Sequence, residues 1–423
     1  MPDLVNRRSI GASVFGPIVA DALMRCESRF HAVADDESVV LFCARGGLVL
    51  QDLLERIRRR MILQPSNLPT RPLMVSRIAA ARCALIQNPQ AVACIIESEL
   101  SDRTCSEGAL AFSGPKERKW LNESRIAAGD GWDQPFKVDR FLSLLSRDAV
   151  GRRIRDGIEH QSKLLDKHLQ RQAGGAARIV LCDTGVFGST VQYLSATYSS
   201  HFEWRCILLV RANYKRLACP HFGFTEGIIC ERDIYDPMCP ESAMLFYWQC
   251  VEAMLEPDLP SVEWFFQEPD GQVVSNLESE CNQMGDWRKC LNPTANLLLA
   301  GVVDYIEALT PDDLNGIRRK AETAFQVFQK MVVRPSHQDV EMLAVGTRPL
   351  GFGSREVATF SSTALKSGGL LKRIRRVQES MWPEGELRRQ FPIIATPLLA
   401  LAEWRRYAHS LFPNTRAGKS TCD

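Results

Sequence analysis

The chain has 423 residues, a mass of 47.5 kDa, and 52 Lys and Arg against 50 Asp and Glu, for a formal net charge of +2. With 45% apolar and 24% charged residues it has the composition of a globular protein with a sizeable core, not of a disordered or fibrous one. A charge balance so near zero excludes a general nucleic-acid or membrane-surface binder, since both need a marked positive excess.

The first forty residues have a mostly helical pattern, with a break near Gly16-Pro17. Arg7 and Arg8 precede an apolar run, but that run holds Pro17 and stops at Asp21 with no small-residue cleavage site, so no signal peptide is expected. The uncharged apolar-leaning stretches at residues 11–20 and 292–303 fall short of the roughly 18 residues of a membrane span. Val39-Val40-Leu41-Phe42-Cys43-Ala44 is a continuous apolar run that ends in Arg45-Gly46-Gly47. Residues 48–60 then carry helical spacing (Leu50, Leu53, Leu54, Ile57), which predicts strand, glycine turn, helix. Leu73-Met74-Val75 is a second short strand ending at Ser76-Arg77, followed by an Ala-rich helix over 78–86. Residues 88–175 form a long, mostly helical insertion, with helices over 91–100 and 138–170 and loops over 101–114 and 127–134. Arg178-Ile179-Val180-Leu181-Cys182 is a third buried strand. It runs into Asp183-Thr184-Gly185-Val186-Phe187-Gly188-Ser189-Thr190, and a helix follows over 191–198. Residues 204–210 are a fourth strand, ending at Arg211.

Buried apolar strands alternating with helices predict a parallel sheet covered on both faces. Further on, 242–255 is an aromatic-rich helix, and 261–266 and 272–274 flank the hairpin turn Glu268-Pro269-Asp270-Gly271. Helices are expected over 295–309, 311–332, 362–379 and 397–411, with a polar, frayed end. The predicted architecture is therefore α/β. A Rossmann-like parallel sheet occupies residues 1–285, a helical insertion interrupts it at about 88–175, and a mainly helical region covers 286–423.

In an open parallel sheet, ligands bind outside the carboxyl ends of the strands. Arg45-Gly46-Gly47 is one such end, where the glycines allow close backbone approach and Arg45 adds charge. Asp183 to Thr190 is the second. Gly185 and Gly188 free the loop to curl, Ser189 and Thr190 supply hydroxyls at a helix start suited to an anion, and Asp183 is placed to hold ribose hydroxyls or a metal ion. Ser76-Arg77 and Arg211 end the other two strands. Three arginines, one aspartate and two glycine turns would thus share a crevice suited to a phosphorylated ligand. Each residue also has a plain structural role open to it: Ser189 or Thr190 as a helix cap, Asp183 as a turn acceptor. Trp382-Pro383-Glu384-Gly385-Glu386 is expected to be a turn, capping the crevice or solvated. No P-loop and no Ser–His–Asp order is present, and His221 and His337 are isolated in sequence.

The fourteen cysteines include no Cys-x-x-Cys pair, and several lie inside apolar runs, which points to a reduced, cytoplasmic protein. Cys219, His221, Cys230 and Cys239 cluster in one loop-rich stretch, a zinc arrangement of no common spacing.

These residues resemble the type I phosphoribosyltransferase fold. Residues 39–47 are similar to that family's pyrophosphate-loop strand, and 178–190 to its strand and ribose-phosphate loop. The resemblance implies phosphoribosyl pyrophosphate or a nucleotide-like ligand with Mg²⁺, Arg45, Gly46 and Gly47 on pyrophosphate, Asp183 on ribose or Mg²⁺, and Thr184, Gly185, Gly188, Ser189 and Thr190 on the 5′-phosphate. The chain departs from the motif in having Thr184, not a second acidic residue, after Asp183, and in a loop about one residue shorter.

A second resemblance covers more of the chain. Phe15-Gly16-Pro17, residues 41–51, Ser76-Arg77, residues 183–189, Pro260-Ser261-Val262 and Trp382-Pro383-Glu384-Gly385 occur in this order. The pattern is similar to the C-terminal module of uncharacterised bacterial proteins called predicted HAD-superfamily hydrolases, found near surface-polysaccharide genes. It implies a protein partner in glycan assembly. Gly46 stands where that module usually has Asp, and Asp183-Thr184-Gly185 lacks the second aspartate that HAD hydrolysis needs. The expected functions are thus a phosphoribosyltransferase-like transferase, a non-catalytic ligand-binding module, or a HAD-like sugar-phosphate hydrolase.

Overall fold

Five strands form one wholly parallel sheet: β1 (Ser38–Cys43), β2 (Thr70–Leu73), β3 (Arg178–Asp183), β4 (Glu203–Arg211) and β5 (Thr225–Glu231). The computed structural model describes residues 2–33, 35–64, 66–124, 131–257, 259–283, 296–345, 347–349, 352, 357–359 and 369–411. The strand order is β2-β1-β3-β4-β5. β1 is buried along its whole length and β3 along its centre, as strands covered by helices on both faces must be. The register pairs Cys43 with Leu73, Phe42 with Cys182, and Asp183 with Leu208, so the carboxyl ends of β2, β1, β3 and β4 lie side by side.

The order turns back between β1 and β3, because the chain goes outward from β1 to β2 and then crosses to β3 on the other side. Connections leave these two strands in opposite directions and open a crevice between them. The fifth strand was not expected from the sequence. Thr225–Glu231 holds one short apolar run, Ile228 to Cys230, too brief to show a period.

At the start, α1 (Pro2–Ile10), a π turn (Gly11–Phe15) and α2 (Gly16–Ala32) run on continuously. The expected break at Gly16-Pro17 is only a local widening: the π turn over Gly11–Phe15, closed by the Gly16 N–H on the Gly11 carbonyl, carries the helix into Pro17. Residues Asn6–Ala32 are long and apolar enough to cross a membrane, longer than the uncharged stretches suggested, and 67% of an apolar 18-residue window within them is buried inside the protein.

The helices α3 (Gly46–Arg60) and α4 (Arg77–Gln87) follow β1 and β2. The insertion is helical as expected: α5 (Pro89–Glu99), α6 (Cys105–Phe112), α7 (Pro115–Ser124), α8 (Val138–Arg147) and α9 (Ala149–Ala173). α6 replaces part of the loop predicted over 101–114. Thr104 accepts from the Glu107 N–H while the Glu107 carboxylate accepts from the Thr104 N–H, a capping box already readable as Thr-x-x-Glu. The loop predicted over 127–134 lies partly outside the described residues. α10 (Ser189–Tyr198) follows β3 and packs against α4.

The aromatic helix predicted over 242–255 is split into a 3-10 turn (Pro240–Leu245) and α11 (Trp248–Leu255). The Pro-Asp-Gly hairpin forms between β6 (Phe265–Gln267) and β7 (Val273–Ser275), followed by α12 (Asn276–Gln283). The C-terminal region holds α13 (Leu297–Glu307), α14 (Ile317–Val333), α15 (His337–Met342), a hairpin of β8 (Thr347–Pro349) and β9 (Val357–Thr359), α16 (Leu370–Glu379), α17 (Pro383–Gln390) and α18 (Pro392–Leu411). The start of the helix predicted over 362–379 and the polar end lie outside the described residues. α13 and α14 pack on α1, α2 and the π turn, so one hydrophobic core runs through both the sheet region and the C-terminal region.

Trp382 to Glu386 is not a solvated turn or a cap on the crevice. It opens α17, with Trp382 buried and stacked on Tyr247 at 4.4 Å between ring centroids. Glu384 and Glu386 are buried and paired with Arg406 and Arg389.

Candidate functional site

The turns leaving β1 and β3 abut. Arg45 leaves β1 with φ 67° and ψ −102°, a strained state for a residue with a side chain, and this aims Gly46 into the first turn of α3. A Cβ on Gly46 would run into the Thr184 hydroxyl and lie 2.7 Å from its Cγ2. One on Gly47 would lie 3.3 Å from the Cys182 carbonyl oxygen. The two glycines are therefore needed for close approach of the strands' ends, whatever else they do.

Beyond β3, Asp183 is half-buried and accepts from the Gly185 N–H at 3.4 Å. Burial pushes its carboxyl upward and nearby Glu252 adds to this, while the N–H groups of Thr184 and Gly185 and the Arg77 charge oppose it. Gly188 adopts φ 75°, the left-handed state that favours glycine, and opens α10. Ser189 and Thr190 are buried in the first turn of α10. Free backbone N–H groups of a helix start lie there.

Arg77 begins α4 at the end of β2. Ser76 caps that helix, accepting from the Ala79 N–H at 3.3 Å, and donates its hydroxyl proton to the Val262 carbonyl. Ser76 is thus committed to structure. The Arg77 side chain remains 46% exposed, with Glu99 at 3.5 Å. Burial lowers its basicity, but Glu99 and Glu252, with Tyr214 and Tyr193, outweigh this and hold the guanidinium above its ordinary value. The Arg77 side chain is thus flanked by these groups and half open to solvent.

Two expected residues are already engaged. Arg45 donates to the Glu256 carboxylate at 2.6 Å and to the Ser261 hydroxyl at 3.0 Å, and burial lowers its basicity. Arg211 turns toward the β5 side, donating to the Phe222 carbonyl at 3.0 Å and to Glu231 at 2.9 Å, with its guanidinium over the Phe222 ring. The expected convergence of three arginines therefore reduces to Arg45 and Arg77, because Arg211 finds its partners on the neighbouring edge strand.

In its place the loop after β4 contributes Tyr214 and Lys215. Lys215 pairs with Glu99, lies 5.0 Å from the Phe187 ring centroid, and is lowered in basicity by burial. Burial pushes the Tyr214 hydroxyl up to about 12. The Tyr193 hydroxyl, on a wholly buried side chain of α10 near Glu99 and Arg77, has no hydrogen-bond partner among the described residues. The crevice thus holds the cations Arg45, Arg77 and Lys215 against the carboxylates Asp183, Glu99, Glu252 and Glu256.

Sequence reasoning named none of Glu99, Glu252, Glu256, Tyr193, Tyr214 and Lys215. Glu252 lies in α11 and Glu256 at its C-cap, four residues on, but nothing in the chain says that this helix end looks across at Arg45.

Among the described residues no group of three His, Cys, Asp or Glu side chains converges. His221 makes a 2.7 Å hydrogen bond from Nε2 to the Phe187 carbonyl, and burial keeps its ring neutral. Cys230 and Cys239 are neighbours, but His221 is committed elsewhere, so the sequence cluster does not assemble as a zinc site. No protein-family model matches the chain, and no curated protein matches it.

Proposed function

We propose that the chain binds a phosphorylated ribose, free or as a nucleotide, in the crevice between β1 and β3, as a cytoplasmic phosphoribosyltransferase-like protein. One observation carries the reading: the Arg45-Gly46-Gly47 turn and the Asp183–Thr190 turn abut where the strand order reverses, with the half-open Arg77 guanidinium beside them. In this reading the Gly185 to Thr190 turn and the first N–H groups of α10 take the 5′-phosphate, and Arg77 supplies the compensating charge. Asp183 accepts from ribose hydroxyls. The Gly46 and Gly47 region faces a pyrophosphate leaving group.

The donor set suits Mg²⁺. That ion takes one or two carboxylates and fills its shell with phosphate oxygens and water, and Asp183 and Glu252 are neighbouring carboxylates beside the anion turn. When bound, it would neutralise charge on a departing pyrophosphate. The chain's own part in transfer is to hold the ribose, screen the site from water and present donors to the leaving group.

A second reading, from another class, is a ligand-binding module without catalysis, serving a partner in surface-polysaccharide assembly. What favours it is that Glu256 already occupies the Arg45 guanidinium and that Thr184 fills the place of a second acidic residue.

Isothermal titration with phosphoribosyl pyrophosphate, with and without Mg²⁺, tests binding. Metal-dependent heat that vanishes in Asp183→Asn supports the site, whereas unchanged affinity removes it. Release of pyrophosphate on turnover then separates the transferase from the binding module.

A further inference from the structure

α18 is built inside out for a surface helix. Its inner face is Ala395, Leu399, Ala402 and Arg406, held by the Arg406–Glu384 ion pair at 2.7 Å and by the Arg406 guanidinium 4.6 Å from the Phe246 ring centroid. The larger apolar side chains point the other way. Ile393 is 90%, Leu401 61% and Trp404 67% exposed, with Ile394, Leu398 and Tyr407 beside them. A helix apolar on both faces is a buried helix.

We propose that this outer face is the two-fold interface of a homodimer, two α18 helices crossing antiparallel near Ala400. Three observations choose a second copy over other partners. First, six large apolar side chains, each 41–90% exposed, stand on this one helix, a patch of the several hundred Å² that marks an interaction site and that a partner in a standard interface covers. Second, Arg405 is the one charged side chain among the described residues of the outer strip, whereas a helix that lies on lipid needs a strongly basic flank. Third, the strip is symmetric about its middle. Large residues stand at both ends, Ile393 and Ile394 against Trp404 and Tyr407, and Leu398 and Leu401 lie between them beside the exposed Pro397 and Ala400. An isologous contact must be self-complementary, and small residues at the crossing let two helices approach.

The test is the mass of the full chain in solution by sedimentation equilibrium, from low micromolar to about 100 µM, a range that brackets ordinary dimer affinities. A dimer is expected. Leu401→Glu and Trp404→Glu, at exposed positions, should each raise the dissociation constant at least 100-fold while leaving the circular dichroism spectrum and the melting transition of the monomer unchanged. If either variant unfolds, Ile393→Lys, at the most exposed position, gives the same reading. A chain that stays monomeric over the whole range overturns the proposal. So does a dimer indifferent to all three substitutions, and so does a monomer that floats with vesicles of phosphatidylcholine and phosphatidylglycerol in a Trp404-dependent way.

Discussion

Gly46→Ala is the sharpest test of the strand-end contact. In open space this change would stabilise the protein by a few tenths to about 1 kcal/mol, since alanine is the better helix former and restricts the unfolded chain. Here the new methyl would overlap the Thr184 hydroxyl and lie 2.7 Å from Cγ2, while Thr184 is only 7% exposed and has little room to swing away. Overpacking of this kind costs about 1–3 kcal/mol, so the sign of the effect reverses. Thr184→Ala deletes both clashing atoms and leaves its Cβ at 3.1 Å, a separation that a small shift relieves. In the double variant the two changes should therefore be non-additive, with a favourable coupling of about 1–2 kcal/mol. Urea unfolding followed by tryptophan fluorescence and circular dichroism measures all four corners of the cycle, with the slopes checked for equality. Additive effects, or a stabilised Gly46→Ala, would show that the two turns do not touch and would remove the crevice.

Four further outcomes follow from the same geometry. Burial holds the folded Asp183 pKa above its unfolded value, so its contribution to stability is full below about pH 4 and is lost as pH rises through the folded pKa; Asp183→Asn should be the more stable protein at neutral pH in urea titrations, and equal stability at every pH would contradict that burial. Arg77→Gln should weaken ribose 5-phosphate binding by about 10- to 100-fold in titration calorimetry, the worth of a charge-assisted hydrogen bond, while Arg211→Gln leaves it unchanged. Gly301→Ala would place a methyl against the Arg8 carbonyl and 2.5 Å from the Ala12 nitrogen, backbone that cannot move cheaply, so it should cost about 3 kcal/mol or more, against almost nothing for Gly316→Ala, whose nearest neighbour is 3.5 Å away. Burial lowers His168 to about 3, where its neutral ring accepts from the Met74 N–H at 3.3 Å; the folded pKa lies below the unfolded one, so this stability is present above about pH 6.5 and is lost as pH falls toward 3, a loss that His168→Gln should blunt in acid-unfolding curves.

The parts of the fold legible in the chain were those written as local repetition. The apolar runs at 39–44 and 178–182 read as strands buried on both faces and form β1 and β3, while Gly46 and Gly47, read as a turn, open α3. The Thr104–Glu107 capping box was equally legible, although α6 lies in a stretch expected to be loop. β5 was not, because a short edge strand needs few apolar residues and its partners come from β4 rather than from its neighbours in sequence. Trp382 misled for the opposite reason. A Trp-Pro-Glu-Gly-Glu run has the composition of an exposed turn, and only the Tyr247 ring and the Arg389 and Arg406 charges make burial of its carboxylates affordable.

The same division runs through the crevice. By itself the sequence settled which residues end β1, β3 and β4, because hydrophobic runs and glycines act over a few residues, whereas β2 (Thr70–Leu73) overlaps the strand predicted over 73–75 only at Leu73. It could not settle where an arginine points. Arg45, Arg77 and Arg211 look alike at three strand ends, yet Glu256, Glu99 and Glu231 reach them from 211, 22 and 20 residues away and decide which guanidinium stays half open. Charge pairing acts over a few ångströms and is blind to chain distance, so only the tertiary structure sorts these side chains.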